Sequence, residues 1–291
     1  MPEIWFPNIG IKIYHLSRVL FSIGNFNIYW YGAIIGIGIV LATLLVLHEA
    51  ERSGQKKEDY IDLASFGIIA SVIGARLYYV IFSWDNYKTD LLKIFAIREG
   101  GLAIYGGVLT GIVCGIIFSK RRKIPFWLVA DTVLPSVLLG QILGRWGNFF
   151  NREAFGGYTN GLFAMRYLKD QVANIAPSVL AHVITVNGTE YIQVQPTFLY
   201  ESFPNLCLFI FLIILRKHKK FDGQIGTLYM IGYGIIRFFV EGLRTDQLKL
   251  FDTGIAVSQV VSIVLIIVGI AFYIILMKRS TKIAGAANEN K

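Results

Sequence analysis

Charged and amide side chains embedded in long apolar runs are the residues of this sequence best placed to do chemistry. One run contains Gly74-Ala75-Arg76. Another holds Asp131 and then Gln141, Arg145 and Asn148, whose offsets of four and three residues put the last three on one helical face. A third opens with Gln195-Pro196 and continues to Tyr200-Glu201. A fourth repeats Tyr229, Tyr233, Arg237 and Glu241 at four-residue steps, with Arg244 three further on. An ionisable group inside a membrane span is costly unless it is paired or faces a cavity, so each marks a possible site. Arginine's planar fork of donors suits phosphate, and a phosphate at that depth most naturally belongs to a phospholipid. Plainer readings stand beside this one. Arg237 and Glu241 can be an intrahelical ion pair that keeps both charges buried. Glu201 can neutralise Arg76 or Arg145, and Asp131 near a membrane surface can snorkel or cap. Arg145 stands apart: it lies between Gly144 and Gly147, beside Asn148 and Asn151, with no acid in the helical turn before it. His15, His48, His182 and His218 fall in tails and loops, so no histidine metal site or Ser-His-Asp triad assembles.

The elements that must position these residues follow from composition. The 291 residues are 55% hydrophobic and 16% charged, with mean hydropathy +0.56. Soluble domains run near 45–50% apolar and about 25% charged, so the bilayer is the solvent. Cys114 and Cys207 lie in apolar runs, which excludes a disulfide scaffold. Runs of spanning length predict helices at 25–48, 61–83, 102–119, 126–148, 197–215, 224–240 and 255–277. The fold expected is an all-α integral membrane protein of about seven transmembrane helices, one polytopic domain over 1–291. More than half of the 28 Lys and Arg collect in alternate connections: Arg52, Lys56 and Lys57; Lys120 to Lys123; Arg216, Lys217, Lys219 and Lys220; and Lys278, Arg279, Lys282 and Lys291. Positive residues gather in cytoplasmic loops, which predicts an external amino terminus and a cytoplasmic carboxyl terminus. The net charge of +9 is therefore a topology signal, and nucleic acid is not an expected partner. Residues 149–196, with scattered aromatic and β-branched positions and the turn pair Asn187-Gly188, predict a small external head with a hairpin. No convincing internal repeat is visible, which weakens a transporter reading. Gly100-Gly101 and Gly106-Gly107 flank Leu102 to Tyr105 as a possible lip where backbone approaches a ligand.

The longest motif is Gly144-Arg145-Trp146-Gly147-Asn148-Phe149-Phe150-Asn151-Arg152-Glu153-Ala154-Phe155-Gly156. With it come Trp30-Tyr31-Gly32, Gly74-Ala75-Arg76, Arg98 to Gly107, Gln195 to Glu201, and Arg237 to Gln247. Taken in order along the chain, these stretches resemble the prolipoprotein diacylglyceryl transferase family of bacteria. The resemblance implies a multi-pass enzyme of the bacterial cytoplasmic membrane, with its site towards the outer leaflet and no cofactor or metal. It would move the diacylglyceryl group of phosphatidylglycerol onto the lipobox cysteine of a preprolipoprotein, forming a thioether and releasing glycerol 1-phosphate. By matching position, Arg145 would hold the lipid phosphate and stabilise the departing charge, and Arg244 would be the second arginine of the reaction centre. Tyr31, Asn148, Asn151, Glu153 and Gly156 would shape the head-group pocket with Gln195. Arg76, Glu201, Arg237 and Glu241 would be supporting charges.

Two positions depart from the family pattern. Tyr105 and Gln195 stand where many members have histidine, the natural base for a thiol. Tyrosine, with an ordinary pKa of about 10, is a poor base at neutral pH. Thiolate formation beside the arginines, with Tyr105 orienting substrate, is the expectation instead. An anion or lipid transporter, and a scaffold whose charges merely pair, are the alternatives.

Overall fold

The structure is a computed structural model describing residues 1–97, 100–250 and 253–289. Arg98 and Glu99 of the glycine-rich motif, and Lys291 of the basic tail, lie outside the described residues. Long helices dominate: α1 Trp30–Arg52, α2 Lys57–Phe82, α3 Ile104–Arg122, α4 Phe126–Asn151, α6 Thr197–Leu215, α7 Gln224–Leu243 and α8 Val257–Glu289, with the single turn α5 Pro177–Leu180. Among the described residues six of these are long and apolar enough to cross a membrane: α1 to α4, α6 and α8. Their exposed Ile, Leu, Val and Phe side chains suit lipid, where only a closed hydrogen-bond ladder leaves no backbone group unsatisfied. The expected span at 224–240 is also a helix, α7. Its polar stripe leaves it outside the set selected by length and apolarity.

The chain forms two compact units, residues 43–133 and residues 1–42 with 134–291, and α1 and α4 run through both. In the first unit α2 and α3 pack along their length. A cluster of Val46, Ala50, Tyr60, Phe118 and Val129 ties the ends of α1 to α4 together. Three basic residues, Lys120, Arg121 and Arg122, fill the last turn of α3, where the helix dipole favours cations.

The second unit contains more sheet than an all-α reading allows. Strands β1 Ile4–Phe6, β2 Ile11–Ile13, β5 Met165–Leu168, β6 Ile184–Val186 and β7 Thr189–Val194 pair in the order β2-β1-β5-β7-β6. A separate hairpin, β3 Val19–Ile23 with β4 Phe26–Tyr29, leads into α1. The hairpin predicted at Asn187-Gly188 is β6–β7, and both turn residues have positive φ, 50° and 79°. Two of the five sheet strands come from the amino-terminal tail, so residues 149–196 do not build the sheet alone. Short alternating strands in a tail carry little sequence signal beside helices of 20 residues. The buried face of the sheet presents Ile4, Phe6, Met165, Tyr167, Ile192 and Val194 to Phe149 on α4 and Phe198 on α6. Arg152 pins the tail by donating to Glu3 Oε2 and to the carbonyl of Leu16, each at 2.7 Å. Burial lowers the pKa of that guanidinium, and Glu3 partly offsets the effect.

A second cluster, Leu138, Leu212, Ile225 and Tyr229, with Leu134 and Leu208 against it, joins α4, α6 and α7. Truncating a large side chain in such a core costs about 2–5 kcal/mol. This packing turns the polar faces of three helices towards one another.

Candidate active site

The four-residue repeat on α7 and the 141/145/148 face of α4 meet across Glu201 of α6. Arg145 Nη2 lies 2.7 and 2.9 Å from the two oxygens of Glu201, and Arg237 Nη1 donates to Glu201 Oε2 at 3.0 Å. Arg237 Nη2 also donates to Glu241 one turn on, so the intrahelical pair exists and forms part of a larger chain. Glu201 is buried with 1% of its side chain exposed, whereas 17% of Arg145 reaches the surface. Glu201 is thus the partner of Arg145, which is one of the two pairings expected for that acid. The acid comes from another helix, so no local spacing reveals it. Below this pair, Gln141 Nε2 donates to the Tyr229 hydroxyl at 3.1 Å, and Tyr229 stacks on Tyr233.

Above it, at the end of α4, Arg145 Nη1 donates to Asn148 Oδ1 at 3.2 Å. Asn148 and Asn151 both donate to Glu153 Oε1, at 2.9 and 3.3 Å. Arg152 and Ala154, non-glycine residues at φ 57° and 56°, turn the chain out of the helix. Such left-handed positions cost roughly 1–3 kcal/mol each and persist only where surroundings enforce them. Thr197 Oγ1 supplies part of that enforcement by donating to the carbonyl of Ala154. Tyr31 lies with its ring against Gly147.

Gly156 joins this turn to the end of α7. It forms an antiparallel bridge with Arg244, its N–H donates to the carbonyl of Gln195 at 3.0 Å, and Gly157 N–H donates to Leu243 at 3.1 Å. A Cβ at residue 156 would lie 2.7 Å from Gln195 Oε1 and 2.9 Å from the carbonyl of Leu243, so only glycine fits without a shift. Arg244 is gripped by Asp246 in a fork, Nε to Oδ1 at 2.9 Å and Nη2 to Oδ2 at 2.8 Å. Burial opposes both charges, but each outweighs it for the other. The Arg244 pKa is raised, and the Asp246 carboxyl is held below its usual range. Asp246 lies within the stretch Arg237 to Gln247 but is not among the site residues expected from the sequence; its place two residues after Arg244 is the signal for this pair.

The Asp246 pKa is depressed in the fold, so its contribution is complete above the unfolded value of about 4 and is lost as pH falls through the folded value. Asp246→Asn is therefore expected to show a smaller loss of thermal stability on acidification than the wild type, read by thermal shift from pH 7 downwards. An unchanged acid profile would show that the pair contributes nothing.

Tyr105, Arg76 and Asp131 lie in the other unit. Tyr105 is half-buried in the first turn of α3. Arg76 is buried in α2 and donates to the backbone carbonyls of Lys93, Ile94, Gly100 and Gly101. Its guanidinium is held by carbonyls, a correction to the reading in which Glu201 neutralises it.

Together these features define a mostly helical integral membrane protein with a buried arginine–carboxylate chain beside a strained helix end. A family model described as prolipoprotein diacylglyceryl transferase matches residues 18–275. The phosphatidylglycerol–prolipoprotein diacylglyceryl transferase of Oceanobacillus iheyensis is 44% identical over 260 residues, 89% of this chain and 88% of its own. The protein of the same name from Bacillus anthracis is 44% identical over 264 residues, 90% of this chain and 93% of its own. That from Bacillus cereus is 43% identical over the same length and the same shares. The chain belongs to the prolipoprotein diacylglyceryl transferase family.

Proposed function

We propose that this chain transfers the diacylglyceryl group of phosphatidylglycerol to the lipobox cysteine thiol of preprolipoproteins. The sulfur forms a bond to the glyceryl carbon that carries the phosphate ester. The C–O bond to phosphate breaks, and glycerol 1-phosphate leaves with the electron pair. Family membership supports the reaction, and the Arg145–Glu201–Arg237 chain carries the assignment of its charge-stabilising group. Glu201 divides one negative charge between two guanidiniums, and Arg237 has Glu241 as well, while Arg244 has Asp246. Arg145, which among the described residues has no ion-pair partner but the shared Glu201, is left with the least compensated charge. A guanidinium has five donors, and those of Arg145 not turned to Glu201 and Asn148 suit the phosphate oxygens. Arg244 would be the second cation of the reaction. Tyr31, Asn148, Asn151, Glu153, Gly156 and Gln195 would shape the head-group pocket, and Arg237 and Glu241 would hold Glu201 in place. Turnover of labelled phosphatidylglycerol with a lipobox peptide by the purified protein tests the activity. Binding without transfer would favour a transporter, and neither would favour a scaffold.

Neutral thiols are weak nucleophiles, and nearby cations lower a thiol's pKa. In this reading the thiolate forms beside the arginines, its proton passing to water or the lipid phosphate, and Tyr105 only orients substrate. Tyr105→Phe is expected to slow transfer but leave measurable turnover, and Tyr105→His to be tolerated. Abolition by Phe with lipid binding intact would give the hydroxyl a direct chemical role and overturn the thiolate account.

The orientation proposed is seven crossings in the bacterial cytoplasmic membrane, with the amino terminus outside, the carboxyl terminus inside and the site towards the outer leaflet. A 20-residue α7 is about 30 Å long, enough to cross, and an odd number of crossings matches the alternation of basic connections. Engineered cysteines in 51–60 and 216–223 should react with impermeant thiol reagents only after the membrane is opened. Labelling of both in intact spheroplasts would reverse the assignment.

A further inference from the structure

The connection between α2 and α3 is closed from inside by one arginine. Arg76, 5% exposed, donates from Nε to the carbonyl of Ile94 at 2.8 Å and from Nη2 to Lys93 at 2.6 Å. Its Nη1 donates to Gly100 at 2.8 Å and to Gly101 at 2.9 Å, and the guanidinium lies 5.1 Å from the centre of the Tyr87 ring. The middle of the connection and the glycine pair before α3 are therefore tied to one side chain. Gly101 has φ +76°, and a Cβ there would fall 2.3 Å from Arg76 Nη1, so a larger residue would force the loop off its clamp.

With its backbone turned inward to the cation, the loop presents apolar side chains outward. The 3-10 turn Leu91–Phe95 leaves Leu91, Leu92 and Phe95 at 57%, 79% and 80% exposure. Asp90 starts this turn by accepting from Leu92 N–H at 3.2 Å. Contiguous large apolar side chains facing water are unfavourable by about 25 cal/mol per Å², and such patches mark partner or membrane contacts. The clamp holds the backbone of this turn against Arg76, more than a helical turn inside the span-length helix α2. Ala103 N–H donates to the carbonyl of Ala75 at 3.1 Å where the chain enters α3. The patch is thus carried beside two helices long and apolar enough to cross a membrane. Half-exposed Trp84 and Lys88 precede it in the same connection, side chains suited to the head-group layer.

We propose that this loop is a membrane-inserted element, with Leu91, Leu92 and Phe95 among phospholipid acyl chains of the adjoining leaflet. Arg76 is the positioning residue that holds it there. Attachment of the turn to Arg76, within the length of a helix apolar enough to cross a membrane, favours acyl chains over a second copy of the chain as the occupant. The inference rests on the membrane spans and not on the transfer reaction.

The test uses the full chain in nanodiscs of phosphatidylglycerol and phosphatidylcholine, with Cys114 and Cys207 changed to serine. A nitroxide is placed at Leu92→Cys, with Phe66→Cys on the exposed face of α2 as the lipid reference and Asp85→Cys as the water reference. The Leu92 label is expected to be open to oxygen like the Phe66 label and shielded from a water-soluble nickel chelate. Access to the chelate matching that of the Asp85 label would overturn the proposal. So would dipolar broadening between copies with low oxygen access, which would identify a second copy as the occupant. Arg76→Lys keeps the charge but loses the fork, and should raise chelate access at Leu92 several-fold while the Phe66 label is unchanged. Gly101→Ala tests the same closure if the lysine variant does not fold. An unmoved Leu92 label in a folded variant would remove Arg76 from the positioning role.

Discussion

Arg145→Ala is expected to slow diacylglyceryl transfer by roughly a hundred- to thousandfold, the usual cost of losing one directed donor to a developing anion, about 3–4 kcal/mol. The reason is where charge moves. In the ground state the phosphate diester carries one negative charge; as the C–O bond breaks, a second gathers on glycerol 1-phosphate. A guanidinium fixed in advance binds that second charge more strongly than the first, which lowers the barrier and not merely the Michaelis constant. Glu201 and Asn148 supply the fixing, at 2.7 and 3.2 Å. Arg145→Lys keeps the charge without the fork and should lose much of the rate. The alanine variant should still insert, because Glu201 keeps its contact with Arg237 and an alanine in a span costs the bilayer nothing. The measurement is the transfer rate of folded, monodisperse Arg145→Ala protein. A wild-type rate would make Arg145 a packing charge and move the phosphate site to Arg244.

How much of this was legible in the sequence depends on the distance over which each feature is written. Helix faces are local, so the stripes 141/145/148 and 229/233/237/241 could be read directly, and the structure does turn them towards one another through the core of Leu138, Leu212 and Tyr229. The turn at Asn187-Gly188 is equally local, because both residues tolerate positive φ. Partners on other elements are not. Arg76 looked like a charge in search of an acid, and its partners are carbonyls, which every residue has and no sequence distinguishes. The amino-terminal strands β1 and β2 were hidden for a related reason. Three-residue strands take their meaning from the neighbour they pair with: β2 pairs with β1, and β1 with β5, which begins about 160 residues later. The resemblance to a family placed the site residues in one list, but it carried no information on which acid holds which arginine.

That pairing makes Glu201 the most consequential acid in the chain. Its carboxylate is buried and meets two guanidiniums, Arg145 and Arg237. Removing one member of a buried ion pair typically costs about 3–5 kcal/mol, because the charge left behind has lost its compensation. Glu201→Gln keeps the shape and one acceptor oxygen, but its amide can turn N–H groups towards cations. Arg237 would then keep Glu241, while Arg145 would keep its contact with Asn148 but lose its carboxylate. The expected result is a large fall in stability to chemical denaturation in micelles, together with loss of transfer as Arg145 swings free. The two effects separate in a double variant. Arg237→Gln combined with Glu201→Gln removes the positive charge that the first change leaves in excess in the cluster, so part of the stability should return, with a coupling of roughly 0.5–3 kcal/mol. Transfer should not return, because Arg145 still lacks its anchor. If the two losses simply add, Glu201 and Arg237 do not act as a pair. If transfer recovers along with stability, Glu201 serves only the fold, and the charge that Arg145 presents to the lipid phosphate needs no carboxylate to aim it.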